Sequence, residues 1–503
     1  MHRARHSNAD QTVMVFADRS TSYAQVYDQV SRCATVFADM APGTDERVGV
    51  LSLSSDRAIL CFQAAIWAGM IANYLNFRWS AFELSQSIDD FAPSILVVDD
   101  AFLEMGLAMQ ERCESVQPLL YIGDQSPAPM GLASYAELVP DATPLPDRSS
   151  DADTTAFLNY TVGTTGKSKG VMHSHATHTT GMAINIAEGF WNRGNGALVT
   201  PLFHISGIAV SNVSLMLANS LFILPAFDPE KLLQLIEKEK IVHCLMVPTM
   251  IKILRDHPTF GDYDISSLAH IRYGASPIDE GLIKQLRQQM PGVSLMQIYG
   301  QTECVPATIL PEEDHSEAGF ASGRTRSVGR AALGVDIEIR DSEGVPLASG
   351  DIGEVCLRAP FLMQGYLNMP EQSAEVLQGG WLLTGDAGYL SDDNYLYLVD
   401  RIKDMIVTGA ENVYSVEVEN ALYRHPAVSD CAVVGLPHEK WGEVVHADVV
   451  LEAGASVSAD DLIEHCREFI AGYKLPKAVE FVEIIPLTAV GKVDKVAIRA
   501  KYA

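Results

Sequence analysis

The chain has 503 residues and a formal net charge of −28, from 36 Lys and Arg against 64 Asp and Glu. A field of that sign repels phosphate backbones and anionic lipid, which argues against a nucleic-acid or membrane-surface binder. Hydrophobic residues are 48% and charged residues 20% of the total, the balance of a globular protein with core enough for more than one domain.

In chain order, the N-terminal MHRARHSNADQT is basic but lacks the apolar stretch of a secretion signal. The eight cysteines are scattered with no Cys-x-x-Cys pair, so neither a zinc knuckle nor a disulfide framework is indicated, and a reducing, cytoplasmic setting is expected. SYAQVYDQVSRCATVFADM, 22–40, has helical spacing of apolar residues, and RVGVLSL, 47–53, and PSILVVDD, 93–100, predict strands. ILCFQAAIWAGMIANYL, 59–75, is short for a bilayer span and is interrupted by Gln63, Gly69 and Asn73. It predicts a buried helix running into a strand, with no integral-membrane segment. This alternation predicts parallel sheets with crossover helices. Residues 139–155, rich in Pro, Asp, Ser and Thr, predict an exposed connection.

That connection leads into YTVGTTGKSKG, 160–170. Its Gly-Lys-Ser suggests a Walker loop, but the first glycine of that pattern would fall at Thr161, so the spacing fails. The chemistry still suits a phosphate. Glycines let backbone N–H groups turn inward, Thr161, Thr164, Thr165 and Ser168 add hydroxyls, and Lys167 and Lys169 add charge. An apolar strand before it and a helix through HATHTTGMAINIAEGF after it predict a strand–loop–helix phosphate site. His173, His175 and His178, around the start of that helix, read as structural rather than as a metal site.

A second alternating block runs through ALVTPLF, SLFILPAF, KIVHCLMVP, HIRYGAS and SLMQIYG. Beyond residue 335 the texture changes to strands and turns, with Gly and Asp pairs marking hairpins in GWLLTGDAGYLSDDNYLYLVD. After DRIKDMI, helical VEVENALYRH and ADDLIEHCREFI alternate with strand-like DCAVVGL, HADVVL and AVEFVEI, enough for a small α+β domain. No internal repeat is visible.

Four short stretches carry candidate chemistry. YGQTE, Tyr299–Glu303, follows an apolar strand at the carboxyl edge of a sheet, where ligands collect. Thr302 offers a donor to a phosphate and Glu303 a ligand for a phosphate-bridging Mg²⁺; the competing reading is a helix cap. TGD, Thr384–Asp386, offers a carboxylate for ribose hydroxyls, or is an ordinary turn. In DRIKD, Asp400–Asp404, Arg401 can reach the same ribose, or the run is a solvated charge cluster. In GKVDK, Gly491–Lys495, a lysine after glycine can neutralise charge on a phosphoryl group.

Taken in order with PLFHISG and YGASP, these motifs resemble the adenylate-forming superfamily, and DRIKDMIVTGAENVYSVEVENAL with VVGLPHEKWGE resembles its fatty-acyl- and aryl-CoA ligase branch. The resemblance spans nearly the whole chain. It implies an α/β fold: a large N-terminal domain, 1–399, of αβ-layered sheets plus a distorted barrel-like part, a hinge at 400–403, and a small mobile α+β domain at 404–503. It implies ATP, Mg²⁺ and coenzyme A as cofactor and co-substrates, a hydrophobic fatty or aryl acid as substrate, and a monomer or homodimer. By resemblance, Thr161, Gly163, Thr164, Thr165, Gly166 and Lys169 hold the β- and γ-phosphates. Gly274, Ala275 and Ser276 lie against adenine, with Tyr299, Gly300 and Gln301 beside it. Thr302 meets the α-phosphate, Glu303 and Thr165 serve Mg²⁺, and Asp386 and Arg401 bind ribose. Lys492 bridges carboxylate and α-phosphate, and Lys403 sits at the hinge. Gly409, Ala410 and Glu411 face the pantetheine tunnel. His204, Ile205, Tyr273, Gly300 and Val305 line the acyl pocket, with His204 a gating group or simply a core histidine.

The chain departs from the family pattern at four positions. Val162 stands for a serine, Ser168 for a proline, Ala410 for a glycine and Leu487 for a basic residue. The first two imply weaker ATP affinity. The methyl group of Ala410 implies a narrowed tunnel, which keeps open a different acceptor, a carrier-protein thiol or an amine. Val162 and Leu487 together motivate a third reading, a nucleotide-binding relic without catalysis, against which the retained Glu303, Asp386, Arg401 and Lys492 speak. Ala410→Gly is therefore expected to speed thioester formation from a supplied acyl-adenylate and CoA in single-turnover measurements; an unchanged rate would remove the steric argument.

Overall fold

The structure is a computed structural model that describes residues 2–43, 46–113, 115–116, 118–149, 151–161, 168–276, 278–408, 411–488 and 493–502. Two compact units form: Met1–Asp336 with Arg358–Leu382, and Ile337–Leu357 with Leu383–Ala503.

The first unit contains two large sheets. The nine-stranded sheet runs Arg330–Ala331, Cys304–Leu310, Ser294–Gln301, His270–Gly274, His243–Met246, Gly196–Leu198, Leu221–Ile223, Thr12–Phe16 and Arg19–Ser22. The eight-stranded sheet runs Gly365–Tyr366, Lys169–Ser174, Thr155–Thr161, Ile71–Tyr74, Arg47–Leu51, Ile95–Val98, Leu119–Tyr121 and Ala133–Ser134. From Ser294–Gln301 to Thr12–Phe16 the first sheet is parallel, and from Thr155–Thr161 to Ala133–Ser134 so is the second. In both, the outermost of these parallel strands turns back on itself into an antiparallel neighbour. The two sheets thus repeat one plan that the sequence does not display.

Local chemistry explains the elements. Parallel strands are covered on both faces, so they need continuous apolar runs, and Ile95–Val98 is buried at every position. Helix Tyr23–Met40 opens on a reciprocal capping box between Ser22 and Gln25 and buries Tyr23, Val26, Val30, Cys33 and Phe37 along one stripe. Each such buried apolar side chain contributes about 1.5–3 kcal/mol. The apolar run at 59–75 divides as expected into helix Asp56–Trp67 and strand Ile71–Tyr74. Among the described residues no helix is long and apolar enough to cross a membrane.

The expected strand–loop–helix around 160–170 is corrected. Strand Thr155–Thr161 is followed by a second strand, Lys169–Ser174, paired antiparallel with it, and only then by helix His175–Ala187. Lys169–Ser174 is thus the second strand of a hairpin, and the helix, capped by Ser174, begins at His175, six residues after Lys169. Thr pairs with Lys across the hairpin mouth at Thr161 and Lys169.

The second unit contains a half-barrel-like sheet of Asp336–Arg340, Gly353–Arg358, Trp381–Leu390 and Leu396–Arg401, the last two forming the expected hairpin. It also contains a five-stranded sheet built on the long hairpin Val428–His438 and Gly442–Leu451, with helices Ser415–Leu422 and Ala459–Arg467. Its core gathers Val418, Leu422, Val433, Val445, Ala447, Val449 and Leu462. The expected α/β class with a small α+β portion is what forms.

Strand packing at the nucleotide motifs leaves no spare room. A Cβ placed on Gly274 would lie 2.4 Å from the carbonyl oxygen of Ile298 on the adjacent strand. Gly274→Ala is therefore expected to destabilise the first unit by about 1–3 kcal/mol, read as a lowered urea midpoint; an unshifted midpoint would show that the strands can part freely.

Candidate active site

The carboxyl ends of the parallel strands in the nine-stranded sheet gather most of the described motif residues. Gly274 ends the strand His270–Gly274, and Ala275, next in the chain, holds a left-handed backbone at φ 68°. A non-glycine residue held there stores strain, which clusters at ligand sites. Ser276 follows, half-buried. The neighbouring strand Ser294–Gln301 carries Tyr299, Gly300 and Gln301, and pairs Gln301 with Cys304. Thr302 and Glu303 are thus the two central residues of a tight hairpin, not a helix cap. A Cβ on Gly300 would lie 2.7 Å from the carbonyl of Cys304, which is why glycine stands there.

Tyr366 and Glu354, not singled out from the sequence, and His173, read there as structural, position this hairpin and the motif assigned to ribose. Tyr366 donates its hydroxyl to Glu303 Oε1 at 2.8 Å, and the ammonium of Lys169 lies 4.5 Å from the centre of its ring. One side chain thus touches both the phosphate-loop lysine and the carboxylate. His173 is 4% exposed and stacks on Phe157. Burial pushes its pKa down to about 4, against the opposing pull of the nearby Thr302 backbone, so the ring is neutral at pH 7. His178, half-buried, accepts from Asn212 at 2.7 Å, and His175 is half-buried at the helix start. In the second unit, Glu354 Oε1 accepts the Gly385 N–H at 2.9 Å. Burial raises the Glu354 carboxyl above its usual range, partly offset by that bond. No local signal marks Tyr366 or Glu354. Each acts through a partner distant in sequence.

Asp386 and Arg401 face each other across the hairpin of the second unit, with Arg401 Nε 2.7 Å from Asp386 Oδ1. Asp386 is 5% exposed while the Arg401 side chain is half in solvent. The pair sets a buried carboxylate beside a half-exposed cation, which suits recognition of vicinal hydroxyls. Lys403 is exposed in the turn that follows. Gly163, Thr164, Thr165, Gly166, Lys167, Gly409, Ala410 and Lys492 lie outside the described residues, as does the side chain of Glu411.

A cavity opens at the same sheet edge. Its wall includes His204, Ile205, Gly274, Ala275, Gly300 and Val305, with Phe190, Trp191, Leu245, Met246 and Ile298 making it strongly apolar. His204 caps helix Ile205–Leu217, its Nδ1 2.8 Å from Ser206 Oγ. It thereby holds the helix end that forms one wall. Tyr273 is not part of that wall. It is fully buried on the far side of its strand, with its hydroxyl 2.8 Å from His315 Nε2. The alternation of side chains along a strand sends Tyr273 and Gly274 to opposite faces.

The chain matches the AMP-binding enzyme family over residues 1–367 and that family's C-terminal domain over 417–492. It is 35% identical to the medium/long-chain-fatty-acid–CoA ligase FadD8 of Mycobacterium tuberculosis, over 99% of this chain and 88% of that one. It is 32% identical to a feruloyl-CoA synthase of an Amycolatopsis species, over 100% and 98%. Among solved structures it superposes on the amide bond synthetase McbA of Marinactinospora thermotolerans with a TM-score of 0.89 and 31% identity, over 99% and 98%. This chain belongs to the AMP-binding, adenylate-forming enzymes, in their acyl-CoA ligase branch.

Tyr366→Phe deletes one donor and keeps the ring beneath Lys169. A hydrogen bond to a charged group is worth about 1.5–3 kcal/mol, so kcat/KM for ATP is expected to fall roughly tenfold or more, with thermal stability little changed. Unaltered ATP kinetics would show that Glu303 needs no such positioning.

Proposed function

We propose that the chain activates a hydrophobic carboxylic acid with ATP and passes the acyl group to coenzyme A, as an AMP-forming acid–thiol ligase in the cytoplasm. The observation that carries this reading is the shared wall. Gly274, Ala275 and Gly300 line the apolar cavity and also belong to the motifs assigned to the adenylate. An acid seated in the cavity therefore presents its carboxylate where the α-phosphate lies.

In the first step a carboxylate oxygen attacks the α-phosphorus, the bond to the β-phosphate bridging oxygen breaks, and pyrophosphate leaves. In the second, the thiol sulfur attacks the acyl carbon, loses its proton, and AMP leaves. The first step brings an anion to a polyanion, so fixed donors and cations must offset the repulsion. Lys169, Thr302 and Lys492 take that role. Glu303 fits a Mg²⁺ site: one oxygen is held by Tyr366, the other is available, and ATP phosphates supply the remaining hard oxygens. Bound there, the ion would neutralise phosphate charge. Asp386 and Arg401 take the ribose, and rotation about the Asp400–Lys403 hinge would exchange Lys492 for the tunnel residues Gly409–Glu411 between the steps.

A second reading keeps the adenylation and changes the acceptor to an amine or carrier thiol, favoured by Ala410 and by the likeness to an amide bond synthetase. Incubation with ATP, Mg²⁺ and a panel of acids, with and without CoA, separates the two. Pyrophosphate and acyl-CoA together support the first, while pyrophosphate without acyl-CoA overturns it. Lys492→Ala is expected to cut adenylation by about 100-fold or more while sparing thioester formation from supplied acyl-adenylate; equal loss of both would contradict separate roles for the two conformations.

A further inference from the structure

The wall of the apolar cavity includes two residues that each carry a buried polar atom with no partner among the described residues. Asn185, in the last turn of helix His175–Ala187, is 2% exposed, and Thr200, just past strand Gly196–Leu198, is 3% exposed. Both line the cavity. Asn185 Nδ2 donates to the carbonyl of Gly181 at 3.0 Å, which fixes the amide orientation and leaves Oδ1 as a lone acceptor. Thr200 Oγ likewise has no partner. A buried polar atom without a partner destabilises the fold, and apolar residues of the same size would avoid it. A pocket shaped only for an alkyl chain has no use for either group. The rest of the wall is aromatic and aliphatic, with Phe190 and Trp191 presenting rings.

We infer that this pocket selects a hydroxylated aryl carboxylic acid, whose ring packs against Phe190 and Trp191 and whose hydroxyl pairs with Asn185 Oδ1 and Thr200 Oγ. The inference rests on the ligase reading above and narrows its substrate class. The hydroxyl is both donor and acceptor. It gives its proton to the Asn185 acceptor and can accept one from Thr200. Ring and hydroxyl together use what the cavity offers, while a plain chain leaves both polar atoms unpaired in a dry site. Sites built to hydrogen-bond a substrate hydroxyl reject the analogue that lacks it far more strongly than apolar pockets reject a missing methylene.

The test compares 4-hydroxycinnamate, cinnamate and decanoate as substrates, following pyrophosphate release, and compares their binding by calorimetry. The expected result is a kcat/KM for 4-hydroxycinnamate at least about tenfold above that for cinnamate, and above that for decanoate. In Thr200→Val, which keeps the side-chain shape, and in Asn185→Leu, the ratio of 4-hydroxycinnamate to cinnamate is expected to fall towards one. Equal kcat/KM for the two aryl acids would mean that the pair merely holds a water molecule, and would overturn the inference while leaving the ligase reading intact. Preference for decanoate would overturn it in the same way. If no acid releases pyrophosphate, the ligase reading fails, and the calorimetric ratio still decides the inference: tighter binding of 4-hydroxycinnamate in the parent chain, lost in Thr200→Val, supports it, and equal binding overturns it.

Discussion

The site of the first unit depends on a short strap, Met363–Leu367, that ties two hairpins together. Met363 donates its N–H to the carbonyl of Glu303, Gln364 to Met172 and Leu367 to Gly170, at 2.8–2.9 Å. The strap pairs as an edge strand with Lys169–Ser174, and its Tyr366 reaches Glu303. Each hairpin alone would present donors on a flexible turn. Backbone bonds to a common third segment tie strand Lys169–Ser174 to the Thr302–Glu303 turn, because the bonds are short and directional.

The repeated plan of the two sheets explains why those hairpins exist. In each sheet the terminal parallel strand reverses into an antiparallel neighbour, at Thr161–Lys169 in one and Gln301–Cys304 in the other. Reversal at a carboxyl end places polar turn residues where α/β sheets gather ligands. The first turn is rich in glycine and hydroxyls, and the second carries Thr302 and Glu303. A polyphosphate needs both kinds of group, distributed donors and a carboxylate for its metal, and one architectural device supplies each.

The cavity shows the same economy of placement. Its apolar residues come from helices and strands far apart in the chain, yet the nucleotide-side glycines form part of its wall. Glycine is the only residue that admits both the backbone approach of adjacent strands and an opening on the ligand side. The apolar cavity and the motifs assigned to the nucleotide are therefore contiguous. The left-handed Ala275 lies at that junction, where a strained backbone turns the chain from strand to site.

Much of this was legible from local chemistry. Apolar periodicity and the Gly-Asp turns marked the helix at Tyr23–Met40, the strands around Ile95 and the hairpin at Trp381–Arg401, since those signals act over a few residues. The motifs identified the superfamily because phosphate chemistry demands particular residue types at particular spacings. The hairpin at 160–170 was misread as strand–loop–helix because KGVMHS is short and polar at both ends, and only its pairing with Thr155–Thr161 makes it a strand. Tyr273 was placed in the pocket because sequence adjacency to Gly274 does not say which face a strand residue takes. Tyr366, Glu354, Asn185 and Thr200 had no local signal, and His173 was read only as structural. The sequence by itself therefore determined the fold class, the element types and the adenylating chemistry. Tertiary structure alone decided which residues position that chemistry, with Tyr366 reaching Glu303 across 63 residues of chain, and which polar atoms remain unpaired for a substrate. The reason is that a hydrogen bond depends on distance and direction in space, and burial decides whether water can substitute for its missing partner.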